Sequence, residues 1–129
     1  MSHVIGIDLG TTSVKSILID SAGTILAQST QDYPLAHPHP NWAEQNPEEW
    51  WMATCASIQD ILSQSNVPAM NITGIGFSGQ MHGAVFLDAN NNVLRPAILW
   101  CDTRAEAECR RVASHLPPDR VRELISNPI

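Results

Sequence analysis

Basic charge is scarce in this chain: seven Lys and Arg face thirteen Asp and Glu, for a formal charge of -6. The seven are scattered, so no positive field is available to draw in a phosphodiester backbone or an anionic lipid surface, and nucleic acid and membrane are not expected as partners. Cysteine is sparse as well. Cys55, Cys101 and Cys109 form an odd set without paired spacing, which argues against a disulfide framework and for reduced thiols. No apolar run approaches the span of a membrane helix. The opening residues MSHVIGIDLG lack a positive n-region, an apolar h-region and a small-residue cleavage site. Together these absences predict a cytoplasmic protein. There is also no internal repeat, low-complexity tract or interdomain linker. What remains, 129 residues at 43% hydrophobic content, suffices for one ordinary core.

Residues 4–9 alternate apolar and small side chains, residues 10–13 read Gly-Thr-Thr-Ser, and residues 14–19 are apolar again; this is strand, tight polar turn, strand. Asp20-Ser21-Ala22-Gly23 is a turn cluster, and residues 24–29 give a third strand by hairpin connection. Residues 31–46 carry Pro34, Pro38 and Pro40 and read as a loop. Asn46 as N-cap, Pro47 at the first helical position and Glu48-Glu49 in the first turn then start a helix. Its apolar stripe is expected to bury both Trp50 and Trp51 against a sheet. Residues 72–77 read as a strand, and 84–87 and 93–100 as two further strands joined by the turn Asp88-Ala89-Asn90-Asn91-Asn92. Thr103 and Glu106 have capping-box spacing ahead of a helix that Pro117-Pro118 ends, with a short helical stretch at 121–125. The expected architecture is an α/β layer, its strand order open.

Two segments carry chemistry. In the first, Asp8 ends a buried strand and Gly10, Thr11 and Thr12 form the turn after it. Such a turn can cradle phosphates: Gly10 permits close backbone approach, the threonines offer amides and hydroxyls, Asp8 is placed to hold magnesium directly or through water, and Lys15 adds positive charge. A plain hairpin turn, with threonine hydroxyls satisfying local backbone and Asp8 capping the bend, accounts for the same residues. In the second, Gly79 and Gly83 flank Gln80, Met81 and His82, a trio with little reason to be apolar core. His82 can exchange hydrogen bonds with a hydroxyl near neutral pH, and the Met81 thioether can pack against carbon; a satisfied turn histidine beside a core methionine is the alternative. Trp100 with Asp102 is an aromatic plate beside a carboxylate, suited to a sugar's CH face and hydroxyls. Core packing of Trp100 and helix capping by Asp102 explain them equally well.

Other matches are decoys. Residues 74–79 fit G-x-G-x-x-G literally, but a strand rather than a helix follows, so dinucleotide binding is not expected. Ser78 is not in a nucleophile elbow, because Gln80 takes the final glycine position. Cys101, Cys109 and His115 lack zinc-ligand spacing, and the sequon at Asn71-Ile72-Thr73 has no meaning in a cytosolic chain.

GIDLGTTSVKSILID resembles the first phosphate motif of the sugar-kinase, Hsp70 and actin superfamily. With PHPNWAEQ at 38–45, GQMHG at 79–83 and LRPAILWCDTR at 94–104, essentially the whole chain resembles the FGGY carbohydrate kinases, in that family's order. The resemblance implies a ribonuclease H-like, actin-like ATPase fold, a mixed β-sheet flanked by helices, with residues 1–129 forming part of the N-terminal domain. It further implies ATP and Mg2+ as cofactor and metal, and phosphoryl transfer to a ketosugar hydroxyl. Within the family the Met81-His82 pair points to members acting on xylulose, since glycerol kinases carry a charged pair there; ribulose, fuculose, gluconate and glycerol are the rival substrates. By the same resemblance Asp8 serves metal and phosphate, Gly10, Thr11, Thr12 and Lys15 the nucleotide, and Gln80, Met81, His82, Trp100 and Asp102 the sugar. Family members are several times longer and carry their aspartate base and adenosine site further on, so this segment alone is expected to be inactive; a non-catalytic sugar-binding fragment is the reading from another class. A homodimer is left open.

Overall fold

The computed structural model describes residues 2–125. Three strands come first, β1 (His3–Leu9), β2 (Ser13–Asp20) and β3 (Ile25–Asp32); then the two-residue β4 (Glu44–Gln45), helix α1 (Pro47–Ser65), a 3-10 turn (Ala69–Asn71) and β5 (Ile72–Gly79). The two-residue β6 (Ala97–Ile98) and helices α2 (Glu106–His115) and α3 (Pro118–Ile125) follow. The main sheet has the order β3-β2-β1-β5. The first three strands form an antiparallel meander, and β5 crosses over through α1 to pair parallel to β1. This is the mixed sheet with helical cover that the motifs implied.

The two-residue alternation of the strands sorts the sheet into faces. Ile5 and Ile7 of β1 and Val14, Ser16 and Leu18 of β2 are buried beneath α1, with Ile61 of the helix among them. The helix is also fixed to the sheet by polar contacts: the buried hydroxyls of Ser16 and Ser57 lie 2.7 Å apart. Asn46 caps α1 as expected, its side-chain oxygen accepting from the Glu48 amide at 3.1 Å, and Asn66 ends it in the left-handed region at φ 54. The opposite face carries Gly6, Asp8, Lys15 and Ile17 by the same alternation, and no helix covers it among the described residues.

Several expectations are corrected. Trp51 is 66% exposed while Trp50 packs on the core, because neighbouring residues on a helix point about 100° apart and cannot both face one sheet. The strands at 84–87 and 93–100 reduce to single bridges, Leu87 to Val93 and Ala84 to Ile98. The turn between them does form, with Asp88 accepting from the Asn90 and Asn92 amides at 2.8 Å. On its other edge β6 pairs with β4, giving the proline-rich loop an ordered partner. No capping box precedes α2. Its N-cap is Ala105, without a side-chain cap, and Glu106 pairs with Arg110 one turn on. Helix α3 starts at Pro118, earlier than expected, where the fixed φ of proline suits a first turn. No helix among the described residues is long and apolar enough to cross a membrane.

Candidate active site

Because β1 and β5 run parallel, their carboxyl ends lie side by side, with Leu9 paired to Gly79. Crevices for ligands in such sheets open at this end. The bend after β1 is tight: the Gly10 amide donates to the Ser13 carbonyl at 2.9 Å, and a Cβ on Gly10 would sit 3.0 Å from that oxygen. Tyr33, at the start of the loop after β3, braces the bend twice. Its hydroxyl donates to the Gly10 carbonyl at 2.5 Å and its amide to the Thr12 carbonyl at 3.0 Å. Burial, together with the nearby charge of Asp8, pushes the Tyr33 phenol up to about 12, so it stays a donor throughout the neutral range. The Thr11 and Thr12 amides donate to no group among the described residues. Beyond the Gly10 amide, the bend is held by its carbonyls and leaves the Thr11 and Thr12 amides free, as an anion cradle requires.

On the open face below the bend is a hollow of about 380 Å³. Gly6 and Gly76 form its floor, and Asp8, Lys15 and Ser78 edge it. Asp8 is exposed there, with Lys15 directly across on β2 and Ser78 across on β5. Glycines at two adjacent floor positions keep the backbone open to a ligand.

The Gln80-Met81-His82 trio continues directly from the carboxyl end of β5. The Gln80 amide donates to the Leu9 carbonyl at 2.8 Å, so the trio begins one residue from where the phosphate-type bend begins. Met81 is 71% exposed, so it fills no core among the described residues. His82 is exposed and takes a left-handed φ of 63, a conformation costly to side-chain-bearing residues and concentrated at ligand sites. Trp100 is also exposed, and its indole N–H donates to the Thr11 hydroxyl at 3.2 Å. It is therefore a plate leaning over the bend rather than core.

Asp102 behaves differently. Its carboxylate is almost fully enclosed and accepts from the Arg104 guanidinium at 2.6 and 2.9 Å, the Arg104 amide at 2.9 Å and the Ala43 amide at 2.7 Å. Arg104 in turn pairs with Glu44 at 2.8 Å and stacks on Trp42, 3.6 Å from the ring centroid. As an open sugar ligand Asp102 is thus corrected: every lone-pair direction is taken by protein, and its local turn resembles the capping alternative. What it does is clamp the segment bearing Trp100 to the β4 region. Arg104 hydrogen bonds hold the Asp102 carboxyl well below the usual carboxylate range. A lowered folded pKa stabilises above the unfolded value, so the clamp's contribution to stability is full above about pH 4 and declines progressively as pH falls from there through the depressed folded value. Asp102→Ala is expected to cost about 2–4 kcal/mol in urea unfolding, because it leaves Arg104 partly unpaired in an enclosed site.

Two residues were not singled out by sequence reasoning, Tyr33 and Gln45. Gln45 is buried, and its side chain touches Thr11, Pro34, Trp50 and Gln80. Gln45 ends the PHPNWAEQ motif at 38–45, but nothing local gives either residue its role; their side-chain partners lie 11 to 35 residues away, Trp50 excepted.

The model of the FGGY family of carbohydrate kinases, N-terminal domain, matches residues 3–129. The chain belongs to the FGGY family of carbohydrate kinases. Similarity within the family is uneven across substrates. The xylulose kinase of Bacillus subtilis is 48% identical over 112 residues, 87% of this chain and 22% of that protein. The gluconokinase of the same organism is 35% identical over 128 residues, 99% of this chain and 25% of that protein. The crystal structure of a xyloylose kinase from Brucella ovis superposes with a TM-score of 0.90 at 38% identity, covering 98% of this chain and 26% of that one. This FGGY segment therefore spans about a quarter of the length of the relatives it matches, and its fold is the actin-like fold of those kinases.

Proposed function

We propose that this FGGY segment is the N-terminal part of an ATP-dependent kinase that phosphorylates D-xylulose to D-xylulose 5-phosphate. One observation carries the reading: the free amides of the Thr11-Thr12 bend, the exposed Asp8 and the Gln80–His82 trio share the carboxyl ends of two paired strands. Phosphoryl transfer asks mainly for alignment and charge neutralisation, and this adjacency supplies both for the donor phosphates and the sugar. The bend receives the phosphate oxygens on its amides, and Lys15 adds charge from the neighbouring strand. Met81 offers the sugar an apolar contact and His82 a hydrogen-bonding ring, with the Trp100 plate alongside.

The residues present fit Mg2+ in its usual manner. Asp8 is a single exposed carboxylate beside an open hollow, and no cluster of three His, Cys, Asp or Glu stands among the described residues; Mg2+ characteristically takes one or two carboxylates and completes its shell with phosphate oxygens and water. Bound there it would neutralise charge on the transferring phosphoryl group.

The base that deprotonates the attacking hydroxyl is assigned to the polypeptide outside residues 1–129. Asp20 and Asp88 are committed to turns, accepting from the amides of Ala22 and Thr24 and of Asn90 and Asn92. Hydrogen bonds within those turns lower both carboxyls. Asp119 pairs with Arg122 on α3. The test is ATP-dependent phosphorylation across a panel of xylulose, ribulose, fuculose, gluconate and glycerol by the full-length polypeptide carrying this segment. Xylulose is expected to give the highest kcat/KM and residues 1–129 alone no steady turnover. Preference for gluconate would transfer the reading to the other substrate class found among its relatives.

A further inference from the structure

Resting on the kinase reading, we infer that Gln45 is a positioning residue that locks the nucleotide bend and the sugar segment into one geometry. Its amide has two donors and one acceptor oxygen, and all are used. The nitrogen donates to the Thr11 carbonyl at 2.6 Å and to the Pro34 carbonyl at 3.1 Å. The oxygen accepts from the Gln80 side-chain nitrogen at 3.1 Å and from the Trp50 indole at 3.0 Å. One buried side chain, 2% exposed, therefore spans the bend, the loop after β3, helix α1 and the segment after β5. The backbone adds a second tie, because Gln45 lies in β4 opposite Ala97 of β6, three residues before Trp100.

A satisfied buried amide is specific in a way an apolar residue is not, since four partly buried groups converge on it and each loses this hydrogen bond if the amide goes. The two ends of the amide serve different ligands. Its nitrogen fixes the Thr11 carbonyl and so aims the amides that would meet the phosphates. Its oxygen fixes Gln80, whose remaining side-chain oxygen is buried without a partner and next in sequence to Met81.

Gln45→Glu and Gln45→Met separate the two ends. Glutamate keeps an oxygen for Gln80 and Trp50 but sets a second oxygen against the Thr11 and Pro34 carbonyls; methionine keeps the volume and removes both ends. In the full-length kinase Gln45→Glu is expected to raise KM for MgATP about tenfold or more with KM for the sugar within about twofold. Gln45→Met should disturb both and lower kcat/KM by about 100-fold, the scale of a misplacement near 1 Å. A merely structural glutamine predicts a lower Tm for both variants with unchanged KM values in the folded protein, and that result, or equal effects of the two variants on both KM values, overturns the inference. If the wild-type protein phosphorylates no sugar, the kinase reading falls on its own. The coupling is then read from the ligand-free protein by ¹H–¹⁵N spectra: Gln45→Met must move the Trp100 indole and Gln80 side-chain resonances together, and shifts confined to Trp50 would refute it.

Discussion

Asp8→Ala is expected to lower kcat/KM for MgATP by about 1,000-fold, equivalent to about 4 kcal/mol of transition-state stabilisation, with the thermal midpoint essentially unchanged. The two halves of that result come from the same geometry. Asp8 is exposed on the open face of the sheet and its side chain takes part in no hydrogen bond or ion pair among the described residues, so the fold gains little from the carboxylate, and surface substitutions of this kind stay within about 0.5 kcal/mol. Its carboxylate nevertheless stands two residues before Gly10 and directly beside Lys15 and Ser78, where the proposed reading places the polyphosphate. Asp8→Asn keeps the shape and removes the charge; it should lose nearly as much activity. Steady-state kinetics at varied Mg2+ alongside thermal unfolding would check both halves, and a large loss of stability with normal kinetics would assign Asp8 to the fold.

Gly10→Val carries the second large effect and acts through the backbone. A Cβ at this position would lie 3.0 Å from the Ser13 carbonyl oxygen, tighter than nine in ten such contacts, and the β-branched side chain adds to the crowding at a turn that must already give by a few tenths of an ångström. The bend must open, which strains the Gly10 to Ser13 and Tyr33 to Gly10 hydrogen bonds together. A stability loss of about 2–3 kcal/mol is expected, with a rise in KM for MgATP of about 100-fold. Tyr33→Phe deletes only the hydroxyl brace and provides the graded comparison: about 1 kcal/mol of stability and a smaller change in KM. An unaltered KM in Gly10→Val would mean that the bend does not touch the nucleotide.

The parts of this molecule legible in its sequence are those fixed by near neighbours. The meander follows from alternation and from the turn chemistry of residues 20–23, where Asp20 accepts from the Ala22 and Thr24 amides. The start of α1 follows from Asn46, Pro47 and the acidic first turn. Parallel pairing of β5 with β1 is not local, and it is what makes one site of residues 8–12 and 80–82. The failures have the same cause. Asp102 and Trp100 have equal claims in sequence to sugar and to structure, and they are separated only by Arg104, Ala43 and Thr11, which engage one carboxylate and one indole across the fold. Gln45 belongs in sequence to the PHPNWAEQ motif, but its role shows only in its four partners. The expected strands at 84–87 and 93–100 shrink to isolated bridges, while residues 97 and 98 gain a partner in β4 that no local signal marks.

The apolar groove between α1 and β5 also has a physical reading within the family assignment. Ile75 and Phe77 face the helical side of the sheet by their register with Ile5 and Ile7, yet they are 50% and 73% exposed. With Trp51, Cys55 and Ile58 they line a space of about 390 Å³, in a segment that corresponds to about a quarter of its relatives' length.

The most direct test of the account is a crystal structure of the full-length polypeptide with Mg2+, a non-hydrolysable ATP analogue and xylulose. The account predicts phosphate oxygens on the Thr11 and Thr12 amides, the metal on Asp8 directly or through water, and the sugar against Met81 and His82. Nucleotide phosphates bound away from the residue 10–12 bend, or a sugar that leaves Met81 and His82 in solvent, would contradict it.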